Sequence, residues 1–253
     1  MERVIKILGI IIVFLVNFYS LSFTEEEINL LFKQANKYYD NAKYDSALVY
    51  YSKVDSILSA SGKYSYKLYY NMANTYYKEN DYVSSIYFLE KAFLINPYDN
   101  DIITNIAFVK SKIGDQRDLN DYFYFYIKIF NIKVYNSIII LLFIFILVTL
   151  ILRFFKSKKK SIYKIVYTIT IIYLFSFLIY TIIYLYFYKN FKYAIVKEDT
   201  SLYSEPFNGK YVSNIYKGYK VRILKRNGKF LFINYNKKIS GWIESDRLLL
   251  INF

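Results

Sequence analysis

Between Val134 and Tyr188 the chain carries two long apolar stretches separated by a short, strongly basic turn. The first, VYNSIIILLFIFILVTLILRFF, runs from 134 to 155 with no acidic residue. At about 1.5 Å per helical residue it covers roughly 33 Å, enough for a hydrocarbon core of about 30 Å. The second, IVYTITIIYLFSFLIYTIIYLYFY, runs from 165 to 188, and its Tyr184, Tyr186 and Tyr188 suit an interfacial aromatic belt. The turn KSKKKS (156–161), framed by Arg153 and Lys164, places six cations in twelve positions with no anion among them. Cations of this density next to apolar spans mark the cytoplasmic side. The expectation is a hairpin with transmembrane helices at 134–155 and 162–188 and a cytoplasmic basic loop at 156–161. Both flanking parts of the chain then lie outside the cytoplasm, against a cytoplasmic (inner) membrane.

The net charge of +14 would suggest a nucleic-acid partner if it formed one patch, but it does not. Residues 24–121 hold 11 cations against 14 anions, residues 122–192 hold 10 against none, and residues 193–253 hold 11 against 5. Most of the excess therefore belongs to membrane topology, and no nucleic acid is expected. The chain has no His and no Cys. That excludes a His-dependent triad, a thiol nucleophile, a disulfide and a Cys/His metal site, and no catalytic residue, metal or cofactor is expected. Residues 1–23 begin with Arg3 and Lys6, continue through the apolar run Ile7 to Val16 and end with small residues Ser20 and Ser22. This is a signal peptide or an uncleaved N-terminal anchor, and either one exports the chain from Thr24 onward.

Residues 24–121 have a helical period, opened by Thr24 as N-cap with Glu27 three residues on. An internal repeat is visible. Leu31, Ala35, Tyr38, Tyr44, Ala47, Tyr51 and Val54 recur as Tyr69, Ala73, Tyr76, Tyr82, Ser85, Leu89 and Ala92, an offset of 38 residues (31 to 69). The small residues fall where two helices of one repeat cross closely. The stretch YNMANTYYKENDYVSSIYFLEKAFLINPYDN (70–100) resembles a tetratricopeptide repeat nearly throughout. The first copy lacks the closing proline, with Ser59 in the place of Pro97, and a third helix from Asp101 to Ile113, with Ala107 in register, caps the stack. The resemblance implies an all-α solenoid whose first helices line a partner-binding groove. Here that groove comprises Phe32, Asn36, Tyr39, Lys67, Tyr70, Asn74, Tyr77 and Lys78, with Phe108 beyond them. Asn36 and Asn74 occupy equivalent slots. They are either polar surface or donors and acceptors for an extended peptide backbone. Asp40, Asp45 and Glu90 read as solvated charges or helix-end dipole partners rather than acid–base pairs.

Residues 122–133, DYFYFYIKIFNIK with its preceding Asp121, are either an interfacial amphipathic linker or an extension of the first spanning helix. In the second span Tyr173, Ser176, Tyr180 and Tyr184 draw one polar stripe, expected to face protein rather than lipid. From Tyr193 the period becomes alternating, with strands expected at 194–196, 220–225, 230–235 and 239–243 between turn signals such as PFNG and NG. Residues 193–253 resemble a bacterial SH3-like domain, carried by KGYKV, GKFLFI and GWIESDRL, which implies a small all-β barrel. Gly241 admits a close backbone, and Trp242 is expected to close the barrel as a core residue. The alternative is an exposed aromatic platform. With Trp242 in the core, a ligand face falls to Tyr203, Phe207 and Tyr211.

The order of parts resembles the BatE family of bacterial aerotolerance (Bat) proteins: signal, tetratricopeptide repeats, two membrane spans, SH3-like barrel. The resemblance implies a multidomain membrane protein acting with other membrane proteins, among them von Willebrand factor A-type Bat proteins, and with an AAA-type ATPase in envelope or oxidative-stress tolerance. From the residues themselves, the expectation is a non-enzymatic scaffold with two extracytoplasmic recognition modules and membrane lipid as a further partner. The competing reading is a protein that binds or senses peptidoglycan, in line with the excess of cations in residues 193–253.

Overall fold

The computed structural model describes residues 25–115, 132–154, 160–190, 192–235 and 239–251. The signal or anchor at 1–23, the cap Thr24, linker residues 122–131 and loop residues 156–159 lie outside these. The layout is multidomain, with helices first and an antiparallel sheet last. It divides after Ala92 into two compact units, each described by itself below.

The helices are α1 (25–40), α2 (Tyr44–Ala60), α3 (Tyr66–Lys78), α4 (Tyr82–Ile95) and α5 (Asn100–Lys112). Starts are fixed by side chains that accept from the first-turn amides. Ser65 takes Leu68 N, Asp81 takes Ser84 N, and Asp99 takes the amides of Asp101 and Ile102. The two hairpins repeat in three dimensions at the offset seen in the sequence. Ala35, Ala47, Tyr51 and Val54 are buried, and so are Ala73, Ser85, Leu89 and Ala92. Tyr38 stacks on Tyr50 at 5.2 Å, and its counterpart Tyr76 stacks on Phe88 at 5.4 Å. Tyr39–Tyr44 and Tyr77–Tyr82 both have ring centroids 5.6 Å apart. The turns match as well. Lys43 N bonds Tyr38 O and Asp81 N bonds Tyr76 O, while Ala42 (φ 56°) and Asn80 (φ 62°) both sit in the left-handed region.

Two expectations are corrected. Glu90 is buried, not solvated. In α4, Ser85, Leu89 and Ala92 form one buried stripe and Ile86, Glu90 and Phe93 a second beside it, so the helix is enclosed on more than one side. In α5 the buried stripe is Ile102, Ile106, Val109 and Lys110, and Ala107 is exposed. The small-residue register of the repeats stops before this helix.

Two apolar helices follow, α6 (Ile132–Phe154) and α7 (Lys160–Asn190). Within α7, residues Thr168–Tyr186 are long and apolar enough to cross a membrane, and none of that window is buried. In α6 the described apolar stretch is the shorter Val134–Ile146. The helices meet along an aromatic seam: the Tyr135 ring stacks with Phe177, Tyr180 and Tyr184 at 5.9, 6.1 and 4.9 Å. The Tyr173 hydroxyl donates to the Ile138 carbonyl at 3.4 Å. The polar stripe thus faces protein at Tyr173, Tyr180 and Tyr184. Ser176 lies off it, exposed and donating to its own helix at Tyr173 O, and Phe177 takes its place on the seam.

The C-terminal part is a seven-stranded antiparallel sheet, β1 (Lys192–Val196), β2 (Thr200–Tyr203), β3 (Tyr211–Ile215), β4 (Lys220–Asn227), β5 (Phe230–Tyr235), β6 (Ile239–Glu244) and β7 (Leu248–Ile251), ordered β3-β2-β6-β5-β4-β1-β7. The four expected strands are present. β2, β3 and β7 are additional, and each is only four or five residues long. Every strand sends at least one side chain into a single core of Ala194, Val196, Leu202, Ile215, Val221, Leu231, Ile233, Ile243 and Leu248, so the sheet curls around it. At Gly241 the backbone of β6 comes close to β2. A Cβ there would stand 2.7 Å from Leu202 Cβ and 3.1 Å from Tyr203 O. Glycine is required by that approach.

The matched turns carry a difference in cost. Asn tolerates the left-handed conformation at position 80, whereas the Cβ of Ala42 is strained there. Ala42→Gly is expected to stabilise the repeats by about 0.5–1 kcal/mol, read as a higher urea midpoint by circular dichroism.

Candidate functional site

The residues expected to line a groove are brought to one face. On α1, Phe32, Asn36 and Tyr39 are spaced four and three apart. On α3, Tyr70, Asn74 and Tyr77 continue the face, with Lys67 and Lys78 exposed at its ends. All six uncharged members are half-buried and none belongs to the fully buried core. Phe108 on α5 is exposed.

Asn36 has a role the sequence does not reveal. Its Oδ1 accepts from the Tyr51 hydroxyl at 2.6 Å and from Asn71 Nδ2 at 3.1 Å, tying α1 to α2 and α3. It is a brace between helices. The repeat pattern does not single out Asn71, because its equivalent one repeat earlier is Lys33. At the position equivalent to Tyr51 stands Leu89, which has no hydroxyl, so Asn74 is not held by the bond that holds Asn36.

Several tyrosine hydroxyls of the helical repeats are shifted. Burial pushes the Tyr51 hydroxyl up to about 12. Tyr69 is also raised, first by burial and then by donating to Asp55 at 2.8 Å. Tyr39, Tyr76 and Tyr87 move the same way, chiefly by burial. Lys91 sits 4.1 Å above the Tyr69 ring, and its amine is lowered by burial, with Asp55 opposing.

A second face lies on the sheet. Tyr203, Phe207 and Tyr211 are exposed at 45%, 72% and 61%. Their neighbours extend them into a band. Tyr211 pairs with Tyr203, Tyr203 with Trp242, Trp242 with Phe232 and Phe232 with Lys225, one outward row across five strands. The Trp242 and Phe232 rings are 5.3 Å apart, and Phe207 meets Phe230 edge-on at 5.0 Å. Trp242 is therefore not the core residue expected. Gly241 and Ile243 face inward, and the period of two along a strand turns the residue between them outward, where it is half-buried among aromatics. The same alternation puts Phe230 and Phe232 outside while Leu231 and Ile233 face the core. That signal is legible in GKFLFI and ISGWIE. At the rim the carboxylate of Glu244 is paired with Lys229 at 2.7 Å.

Compared in sequence with protein-family models and with curated proteins, the chain matches none.

The raised tyrosines set an alkaline limit. With folded values above the unfolded value near 10, their contribution is complete below about pH 10 and is lost as pH rises toward about 12. Lys91, shifted down, works in the opposite sense and offsets part of this. Helix unfolding of the chain is expected to move to lower urea across that interval. Tyr51→Phe should cost about 1 kcal/mol at neutral pH by loss of its bond to Asn36, and should shrink the alkaline loss.

Proposed function

We propose that the protein is a non-enzymatic membrane scaffold that presents two recognition modules outside the cytoplasm, with α6 and α7 crossing the bilayer as a hairpin. The observation that carries this reading is the uncovered apolar surface of Thr168–Tyr186. Nineteen residues of exposed apolar helix need a hydrocarbon surround, and the Tyr135 seam supplies the partner helix that keeps tyrosine hydroxyls away from lipid. The basic loop at 156–161 then orients the hairpin with its turn in the cytoplasm. In this reading the helical repeats are tetratricopeptide-like and the curled sheet is a bacterial SH3-like barrel. Their order supports a BatE-like subunit that holds other membrane proteins, such as von Willebrand factor A-type Bat proteins, in an envelope-stress complex. A second reading, peptidoglycan binding, draws on the exposed aromatics of the sheet.

Reporter fusions after Asn120 and after Phe253 should be active as phosphatase and dark as a fluorescent protein that matures only in the cytoplasm. The reverse result at either position overturns the topology.

The recognition face has its own check. Asn74→Ala with Tyr77→Ala should abolish cross-linking of the repeats to neighbouring membrane proteins while the helical signal is retained, with melting lowered only by the loss of the Tyr77–Tyr82 ring contact. Retained cross-linking would remove this face from the proposal.

A further inference from the structure

The aromatic band crosses the sheet as one outward row. Tyr211, Tyr203, Trp242 and Phe232 are cross-strand neighbours, so the row spans about 14 Å at a strand spacing of about 4.8 Å. Phe230 and Phe207 broaden it at one end. Lys210 precedes Tyr211, and Lys225 pairs with Phe232, both exposed. Residues 193–253 hold 11 cations against 5 anions, and the one acid on the described outward row of β6, Glu244, is neutralised by Lys229. Rings with polar edges beside lysines are the chemistry of the headgroup layer of a bilayer.

The chain itself says how close that layer is. The apolar window of α7 ends at Tyr186, the helix at Asn190, and β1 begins at Lys192 with one residue between. Four helical residues at about 1.5 Å and two extended ones at about 3.5 Å carry β1 no more than roughly 13 Å from the edge of the hydrocarbon. The headgroup layer on each side is about 5 to 8 Å thick. A domain tethered this tightly begins no more than roughly 5 to 8 Å beyond the headgroup layer.

We infer that the aromatic band faces this layer, and that Tyr203, Phe207, Tyr211 and Trp242 seat the sheet on an anionic phospholipid surface. The inference rests on the reading of α7 as a spanning helix. It gives the domain a fixed attitude, leaving the strands on the far side of the sheet toward the space beyond the membrane. Lysines at the rim meet lipid phosphates, and the rings enter the boundary between headgroup and acyl chain.

Trp242 is the only tryptophan in the chain, so its emission reports this face without labelling. The full-length protein would be reconstituted in phosphatidylcholine–phosphatidylglycerol vesicles whose acyl chains are brominated either near the headgroup or near the bilayer centre. The expected result is strong loss of emission with the shallow bromines, little with the deep ones, and protection from aqueous acrylamide. Phe207→Ser with Tyr211→Ser changes two exposed rings, and it should restore emission in brominated vesicles and admit acrylamide. Emission insensitive to bromine at both depths yet quenched by acrylamide would overturn the inference. So would emission that shifts only when soluble wall fragments are added, which assigns the band to glycan. Resistance to carbonate extraction, measured on the same vesicles, isolates the spanning reading. Release by carbonate overturns that reading and the inference with it, whereas retention with no bromine quenching overturns the inference alone.

Discussion

The uncovered apolar flank of α7 is the constraint on which the rest of the arrangement depends. Outside α6 and α7, the described parts of the chain bury an apolar stripe or face against a neighbour: the repeats around Ala35, Ala47, Ala73 and Leu89, and the sheet around Leu202, Ile233 and Ile243. Helix α7 instead leaves Ile172, Phe175, Leu178, Ile182 and Leu185 outward, and only its tyrosine side meets α6. Water does not tolerate an exposed apolar surface of that extent on a folded protein. In the proposed reading a bilayer would cover it without any further subunit. In that reading the domains on either side would be confined near a surface, and recognition by them would become recognition of things that also live at that surface.

How local each signal is decides how much of the fold the sequence discloses. The 38-residue offset is readable because a close helix crossing accepts only small residues, and that demand recurs with the repeat (31 to 69). Its consequences reach further than the small slots, down to the matched left-handed residues Ala42 and Asn80 and the paired ring stacks. Burial of Glu90 is not readable. It depends on how many sides of α4 are covered, which is a property of the stack and not of the helix. Ala107 departs from expectation for the complementary reason. In α5 the buried stripe is made of Ile102, Ile106 and Val109, so no small-residue crossing is required and the repeat register carries no information there.

In the sheet the difference is one of parity. Treating Gly241 and Trp242 as a unit that closes the domain overlooks that adjacent residues of a strand cannot share a face. The Gly241 backbone must admit Leu202 on the inside, which commits Trp242 to the outside. Register then does the rest, because Trp242 meets Tyr203 on one side and Phe232 on the other, and three rings that are far apart in sequence become neighbours. Tyr203, Phe207 and Tyr211, the residues expected from the sequence to meet a ligand, are one edge of a larger band.

Tyrosine supplies much of the aromatic content, and its several settings show one rule about where a hydroxyl can end. Inside the repeats the rings fill space between helices, and the buried hydroxyls of Tyr51 and Tyr69 are given acceptors, Asn36 and Asp55. Along the α6–α7 seam the acceptor for Tyr173 is the Ile138 carbonyl, since an apolar surround offers little else. On the sheet, Tyr203 and Tyr211 keep their rings beside other rings and are themselves exposed. A ring that packs and a hydroxyl that must be satisfied are compatible with a core, a helix seam or an interface, and only the position of the nearest acceptor decides which. Composition alone therefore says little about any one tyrosine here. Its neighbours at the spacing of a helix or a strand say which of the three it serves.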